Sequence, residues 1–132
     1  MTSALILFAH GARDPAWREP VDALARRLRS ALAQVPVVTA FLELMTPTLA
    51  EAVAAAVEGG ATRIAVAPVF WAQGGHLKRD VPALLAHVCA AHPEVRIDLW
   101  PVLGERDAVL DAIAADYRAM WADGGAGAGA AG

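Results

Sequence analysis

The sequence predicts an α/β fold: a four-stranded parallel sheet in the order 2-1-3-4 with helices on both faces. Three observations carry this expectation. Strand-like and helix-like segments alternate as βαβαβαβα, which calls for parallel strands joined by crossover helices. The first three strand segments are apolar with little interruption, as strands covered on both faces are. Two of the strand–loop units lead through glycine into histidine chemistry, at His10-Gly11 and at Gly74-Gly75-His76. Open α/β sheets place ligands at the carboxyl ends of strands, where the winding direction reverses.

Taken in order, positions 4–9 are apolar without a break, and the stretch from His10 to Pro15 ends them. Asp14 before Pro15 is a helix start signal. Over 17–32, Val21, Leu24, Ala25, Leu28 and Leu32 follow the 3.6-residue period, which predicts an amphipathic helix. Pro36 closes the connection, and 37–42 reads as a second buried strand that stops at Glu43. Thr46-Pro47-Thr48 opens a helix carrying Leu49, Val53 and Val57 on one face, and Gly59-Gly60 closes it.

Residues 63–69 form the third strand and 70–76 its loop. A helix follows over 78–91 and ends at His92-Pro93, because a residue before proline avoids the α region. Residues 95–100 alternate apolar and polar, the pattern of an edge strand with one more exposed side. The last helix, 107–121, carries Val109, Leu110, Ile113, Tyr117 and Trp121. The Gly/Ala stretch 123–132 has nothing to bury, so it is set apart as a disordered tail from a single domain over 1–122.

Composition narrows the function classes. The chain has 132 residues, 57% of them hydrophobic and 19% charged, with a formal charge of -3. That is material for one domain with a real core, and it argues against intrinsic disorder. No basic run or aromatic-basic interleaving suggests nucleic acid. No charge-free apolar stretch reaches the roughly 18 residues of a membrane span, and the apolar start is too short for a signal-peptide core. The single cysteine, Cys89, cannot close an intramolecular disulfide. A cytoplasmic protein is the expectation.

Right-handed crossovers in the order 2-1-3-4 put the first helix on one face and the next two on the other. Strands 1 and 3 then flank the crevice at the switch point, and strand 2 lies beside strand 1. His10, Glu43 and His76 thereby fall at the carboxyl ends of three adjacent strands. Each alone has an ordinary reading, as a satisfied histidine or a solvated carboxylate. Together, two imidazoles and a carboxylate suit a divalent ion such as Co, Ni, Fe or Zn, with positions left open for a substrate. Arg13, Lys78 and Arg79 stand beside the histidines and fit an anionic ligand as well as they fit plain surface charge. Arg18 reads as surface charge. Helix N-termini at the crevice favour an anion too.

The segment His10 to Asp14, the strand ending Phe41-Leu42-Glu43, and the run from Pro68 to His76 followed by Leu77-Lys78-Arg79-Asp80-Val81-Pro82 together resemble the short CbiX-type sirohydrochlorin chelatases. The resemblance to this class II chelatase family extends over about residues 5–121. It implies ATP-independent insertion of a divalent ion, usually cobalt, into a modified tetrapyrrole of cobalamin or sirohaem biosynthesis. By this resemblance His10 and His76 are the metal-binding and proton-accepting histidines, with Glu43 as acidic partner. Substrate-binding roles are expected for Arg13, Gly74, Gly75, Lys78 and Arg79 from their places beside the histidines, and no organic cofactor is expected. The family often has Ser where this chain has Ala12, so a hydroxyl contact is absent here while the small loop residue is kept.

Elementary chemistry points the same way. Inserting the ion removes two pyrrole protons while the ion sheds water, and neutral imidazole can bind an ion or accept a proton. Basic loop residues suit the several carboxylates of sirohydrochlorin. Phe70, Trp71 and Leu77 could lie on its flat macrocycle, with core packing the preferred reading for Phe70. A tetrapyrrole is wide for one small sheet edge, and larger relatives hold two such halves, so a homodimer is expected. His87 and His92 read as surface or helix-end residues, Cys89 as a small buried residue, and Trp17, Trp100 and Trp121 as packing. Other readings are the same chemistry with ferrous iron or nickel, and a metal carrier without catalysis. A histidine phosphatase expects Arg directly before the histidine, where this chain has Ala9.

Overall fold

A computed structural model of the chain describes residues 2–124. Four strands, β1 (Ser3–Ala9), β2 (Val37–Phe41), β3 (Arg63–Pro68) and β4 (Arg96–Leu99), alternate with four helices, α1 (Glu19–Ala31), α2 (Leu49–Glu58), α3 (Gly75–Ala91) and α4 (Asp107–Ala122). The strands form one parallel sheet in the order β2-β1-β3-β4. The expected topology is therefore the observed one. Positions 125–132 of the expected tail lie outside the described residues.

The unbroken apolar run of β1 has a direct cause in the pleat. Ala4, Ile6 and Phe8 face one side, where they meet Leu49, Ala52 and Val53 of α2 and Val81 and Val88 of α3. Leu5, Leu7 and Ala9 face the other side, where they meet Val21 and Ala25 of α1. Both faces of β1 are thus covered, as in parallel sheets generally. Phe8, Phe41, Ile6 and Ile64 are completely buried, each contributing about 1.5–3 kcal/mol through removal from water.

Local signals set the helix ends. Asp14 accepts from the Ala16 N–H at 2.9 Å and opens a 3-10 turn, Pro15–Arg18, so the regular helix begins two residues after Trp17. Thr48 and Glu51 form a reciprocal capping box at α2. Arg18 is more than loose surface charge: it binds Asp22 at 3.0 Å and Thr39 at 3.3 Å, and lies 4.9 Å over the Phe41 ring, clasping α1 to β2.

Three expectations need correction. The third helix begins at Gly75, not Lys78, so His76 lies in its first turn and not in a loop. The tryptophans do not serve as core packing: Trp17, Trp100 and Trp121 are 39%, 41% and 73% exposed. Cys89 is half-buried, because it borders the stripe that Val88 buries. The last helix, read as amphipathic, buries none of its residues against its own chain. Val38 of β2 is 38% exposed, as an edge strand permits. Among the described residues no helix is long and apolar enough to cross a membrane.

Removing the Phe8 ring opens a cavity beneath the centre of the sheet. Phe8→Ala is expected to cost about 3–5 kcal/mol in urea unfolding, whereas Val38→Ala at the exposed edge should cost under about 1 kcal/mol.

Candidate functional site

Strand β1 ends at Ala9 and β2 at Phe41, but the backbone ladder continues. The Leu42 N–H donates to the Ala9 carbonyl at 2.9 Å, and the Glu43 N–H donates to the His10 carbonyl at 3.1 Å. These two bonds carry His10 and Glu43 past the end of the sheet as a pair. Their side chains then meet, His10 Nε2 to Glu43 Oε1 at 3.1 Å. Both remain open to solvent, with side chains 46% and 56% exposed.

Gly11 makes this approach possible. Its φ is +97°, and a Cβ there would stand 1.9 Å from the Glu43 carbonyl oxygen. Any side chain would be strained by the backbone and would also collide with β2's extension. The glycine after His10 therefore sets the spacing of the two loops.

From the other side, the Val69 N–H donates to the Phe8 carbonyl at 2.8 Å and brings Phe70 beside His10. The Phe70 and His10 rings meet edge to face, with centroids 6.2 Å apart. Phe70 is buried and leans edge-on against Phe8 at 5.5 Å, so the imidazole rests on a floor continuous with the core. The Leu103 and Gly104 N–H groups donate to the Phe70 and Trp71 carbonyls at 2.9 and 2.8 Å, fixing this strand end from the β4 side. Trp71 itself is 58% exposed.

The histidine–carboxylate contact has a chemical meaning. If Nε2 carries the proton, it donates to Glu43 and leaves the Nδ1 lone pair free for an ion or a proton. A proton gained at Nδ1 makes an imidazolium whose charge the adjacent carboxylate balances. A carboxylate–imidazole pair of this kind is a base and a metal ligand in one unit.

His76 stands apart. It is exposed in the first turn of α3, next to Leu77, which turns inward to the core. Among the described residues no three His, Cys, Asp or Glu side chains form a group able to hold an ion. The structure thus joins His10 and Glu43 and leaves His76 apart on the first turn of α3, so the expected three-ligand convergence is only two-thirds assembled. Gly74 caps α3, and the first helical bond runs from the Lys78 N–H to the Gly74 carbonyl at 3.1 Å. The N–H groups of the first turn are therefore free to meet an anion. Arg13, Lys78 and Arg79 are exposed, and none takes part in an ion pair among the described residues.

Elsewhere a roomy groove between α2 and the β2 edge is lined by Pro36, Ala52, Ala55 and Ala61, with Glu51 as its carboxylate. Glu51 is engaged in the capping box, so this groove offers packing and no acid–base pair. Sequence reasoning did not single out the floor under His10 or the contact at Gly11. A glycine directly after a strand-ending histidine was the available signal for the second.

Comparison with known proteins bears on this edge of the sheet. Residues 4–120 match the family CbiX. A sirohydrochlorin cobaltochelatase from Methanopyrus kandleri is 42% identical over 82 residues, which cover 62% of this chain and 57% of that protein. A sirohydrochlorin ferrochelatase from Bacillus subtilis (strain 168) is 29% identical over 113 residues, covering 86% of this chain and 43% of that protein. The chain thus spans about half the length of these two relatives. The crystal structure of a CbiX protein linked by name to cobalamin (vitamin B12) biosynthesis, from Marinobacter aquaeolei VT8, superposes with a TM-score of 0.81 at 30% identity. That match covers 92% of this chain and 98% of the other.

The glycines make a sharp contrast. Gly11→Ala is expected to destabilise the fold by more than about 1 kcal/mol, from the left-handed backbone alone, and to uncouple His10 from Glu43 in imidazole nitrogen NMR shifts. Gly75→Ala, inside the first turn of α3 with open space around it, should instead stabilise by up to about 1 kcal/mol in a urea titration.

Proposed function

The chain belongs to the CbiX family, and from that premise we propose that it inserts a divalent metal ion, cobalt foremost, into sirohydrochlorin without ATP. The observation that carries this reading is the 3.1 Å contact between His10 and Glu43 at the carboxyl edge of the sheet. The reaction needs a group that can hold a partly hydrated ion, release it, and take up pyrrole protons. An imidazole with one nitrogen committed to a carboxylate does each of these at one atom.

In this reading the ion is a substrate, held through His10 while the tetrapyrrole lies across the crevice mouth. His10 accepts one pyrrole proton as the ion leaves it, with Glu43 balancing the imidazolium and returning that proton to solvent, and His76 accepts the other. His76 supplies the second imidazole from the first turn of α3, completing the donor set around ion and macrocycle. Arg13, Lys78 and Arg79 meet the peripheral carboxylates of the substrate. Gly74 and Gly75 leave room for a carboxylate to reach the free N–H groups of that turn. Trp71 offers an exposed ring to the macrocycle's face. Ala12 adds no hydroxyl, so the donor set rests on the histidines and Glu43.

Cobalt is favoured by the 42% identity to the Methanopyrus kandleri protein named for cobalt. Ferrous iron is the second reading, favoured by the Bacillus subtilis relative named for iron. The donors themselves accept either ion, or nickel, because imidazole and carboxylate suit all three. A carrier without catalysis has no evident use for exposed cations around an open crevice.

The test is the absorbance change of sirohydrochlorin mixed with Co(II) and protein. Acceleration over the protein-free rate is expected, and equal rates would refute catalysis. His10→Ala and His76→Ala should each lower the protein-dependent rate by about 10²–10⁴-fold with unchanged circular dichroism; near-normal rates in both variants would refute the site. Rates with Co(II), Fe(II) and Ni(II) at matched free concentrations are expected to be highest with Co(II).

A further inference from the structure

Leu44 follows Glu43 directly and holds a backbone shape that leucine avoids. Its φ is +66°, and it is the one residue other than glycine with positive φ among the described residues. The left-handed region crowds a side chain against the backbone, and leucine has no polar group to offset the cost as asparagine does. The anchors of the loop impose this shape. The Glu43 N–H bond to the His10 carbonyl holds the loop where it leaves β2. The Phe41 N–H bond to the Pro47 carbonyl, at 2.9 Å, holds it where it returns. Leucine gains nothing from the core in exchange. Leu42 packs against one core cluster and Met45 against the other, while Leu44 is 58% exposed. A strained apolar residue left in water is costly twice over, and such outliers gather at sites that bind ligands.

An equally exposed apolar residue borders the site on its other flank. Strand β1 lies between β2 and β3, so His10 has the Leu44 loop on one side and the Trp71 loop on the other. Two strand spacings set those flanking strand ends about 10 Å apart. Trp71 is also 58% exposed, and its indole is seated on bare backbone. A Cβ on Gly104 would come within 3.5 Å of the Trp71 Cε2 and 2.4 Å of the Trp71 carbonyl oxygen. One apolar side chain is thus set by a strained backbone and the other by a glycine seat. The polar pair of His10 and Glu43 lies between them.

We propose that Leu44 is a substrate-binding residue whose side chain lies against the apolar ring of the tetrapyrrole, opposite Trp71. It sets affinity for the macrocycle and takes no part in holding the ion. A wall fixed in advance binds without the cost of ordering a loop, which is what the strained backbone supplies. The inference rests on the reading that this edge of the sheet takes sirohydrochlorin, and it adds the residue that fixes where the ring lies.

Equilibrium dialysis of metal-free sirohydrochlorin against the full chain tests the contact, beside Co(II) affinity by calorimetry. Leu44→Asn accepts the left-handed backbone but removes the apolar surface, whereas Leu44→Met keeps that surface on the same backbone. Leu44→Asn is expected to weaken sirohydrochlorin binding by about tenfold, the affinity that burying one leucine side chain supplies. Neither its Co(II) affinity nor its urea midpoint should fall. Leu44→Met should bind sirohydrochlorin as the wild type does. Unchanged sirohydrochlorin affinity in Leu44→Asn or equal weakening in Leu44→Met would overturn the proposal. So would a matching loss of Co(II) affinity, which would show that the residue shapes the loop and does not touch the ring. Should Leu44→Asn fold poorly, Leu44→Gly removes the side chain without backbone strain and carries the same expectations. The two readings fail separately. A wild type that binds sirohydrochlorin without speeding metal insertion refutes catalysis, while the dialysis still decides the contact. A wild type that does not bind sirohydrochlorin overturns both.

Discussion

The close backbone approach of the β1 and β2 loops is the constraint on which the site depends. Two hydrogen bonds extend the sheet past its last regular residues, from Leu42 to Ala9 and from Glu43 to His10. They form only because Gly11 has no side chain to strike the Glu43 carbonyl. Burial supplies the rigidity behind them. Phe8 and Phe41 have no exposed surface, and Phe70 transmits that fixed core directly to the His10 ring. Two polar, solvent-open side chains are thereby held at hydrogen-bond distance by a frame that is almost wholly apolar.

This division of labour suits a reaction in which the ion passes through. A closed set of protein donors would hold an ion too tightly to release it into a macrocycle, as structural metal sites do. Here the pair formed by His10 and Glu43 is open on one side, and His76 lies outside their contact, on the first turn of the next helix. Under the proposed reaction, an incomplete donor set would leave coordination positions for water and then for pyrrole nitrogens. In the proposed reaction, the exposed cations at Arg13, Lys78 and Arg79 would draw an anionic partner by surface charge, which needs no preformed cavity. The family match runs over 4–120, and the Marinobacter aquaeolei protein shares the fold that forms this edge.

Much of this was legible in the residues. Alternating strand and helix patterns fixed the topology, because an unbroken apolar run such as 4–9 has one economical place, in the middle of a parallel sheet. That order made His10 and Glu43 neighbours before any distance was known. The start of α3 was not legible, since Gly74-Gly75 reads equally as a turn, and only the inward direction of Leu77 and Val81 shows the helix beginning there. The tryptophans misled for a related reason. Size and hydrophobicity favour burial in general, yet Trp17, Trp100 and Trp121 are all exposed. Periodicity announced α4 but carried no information on whether its apolar stripe is buried, and none of its residues is.

The central claim is that His10 and Glu43 act as one unit, and a double-mutant cycle on the insertion rate addresses it most directly. The rate would be measured with Co(II) for wild type, His10→Ala, Glu43→Gln and the double variant. Groups that work through each other lose their effect together. A shared role therefore predicts a double variant no slower than His10→Ala alone, within about twofold. Losses that multiply in the double variant would show two independent contributions and contradict the pairing.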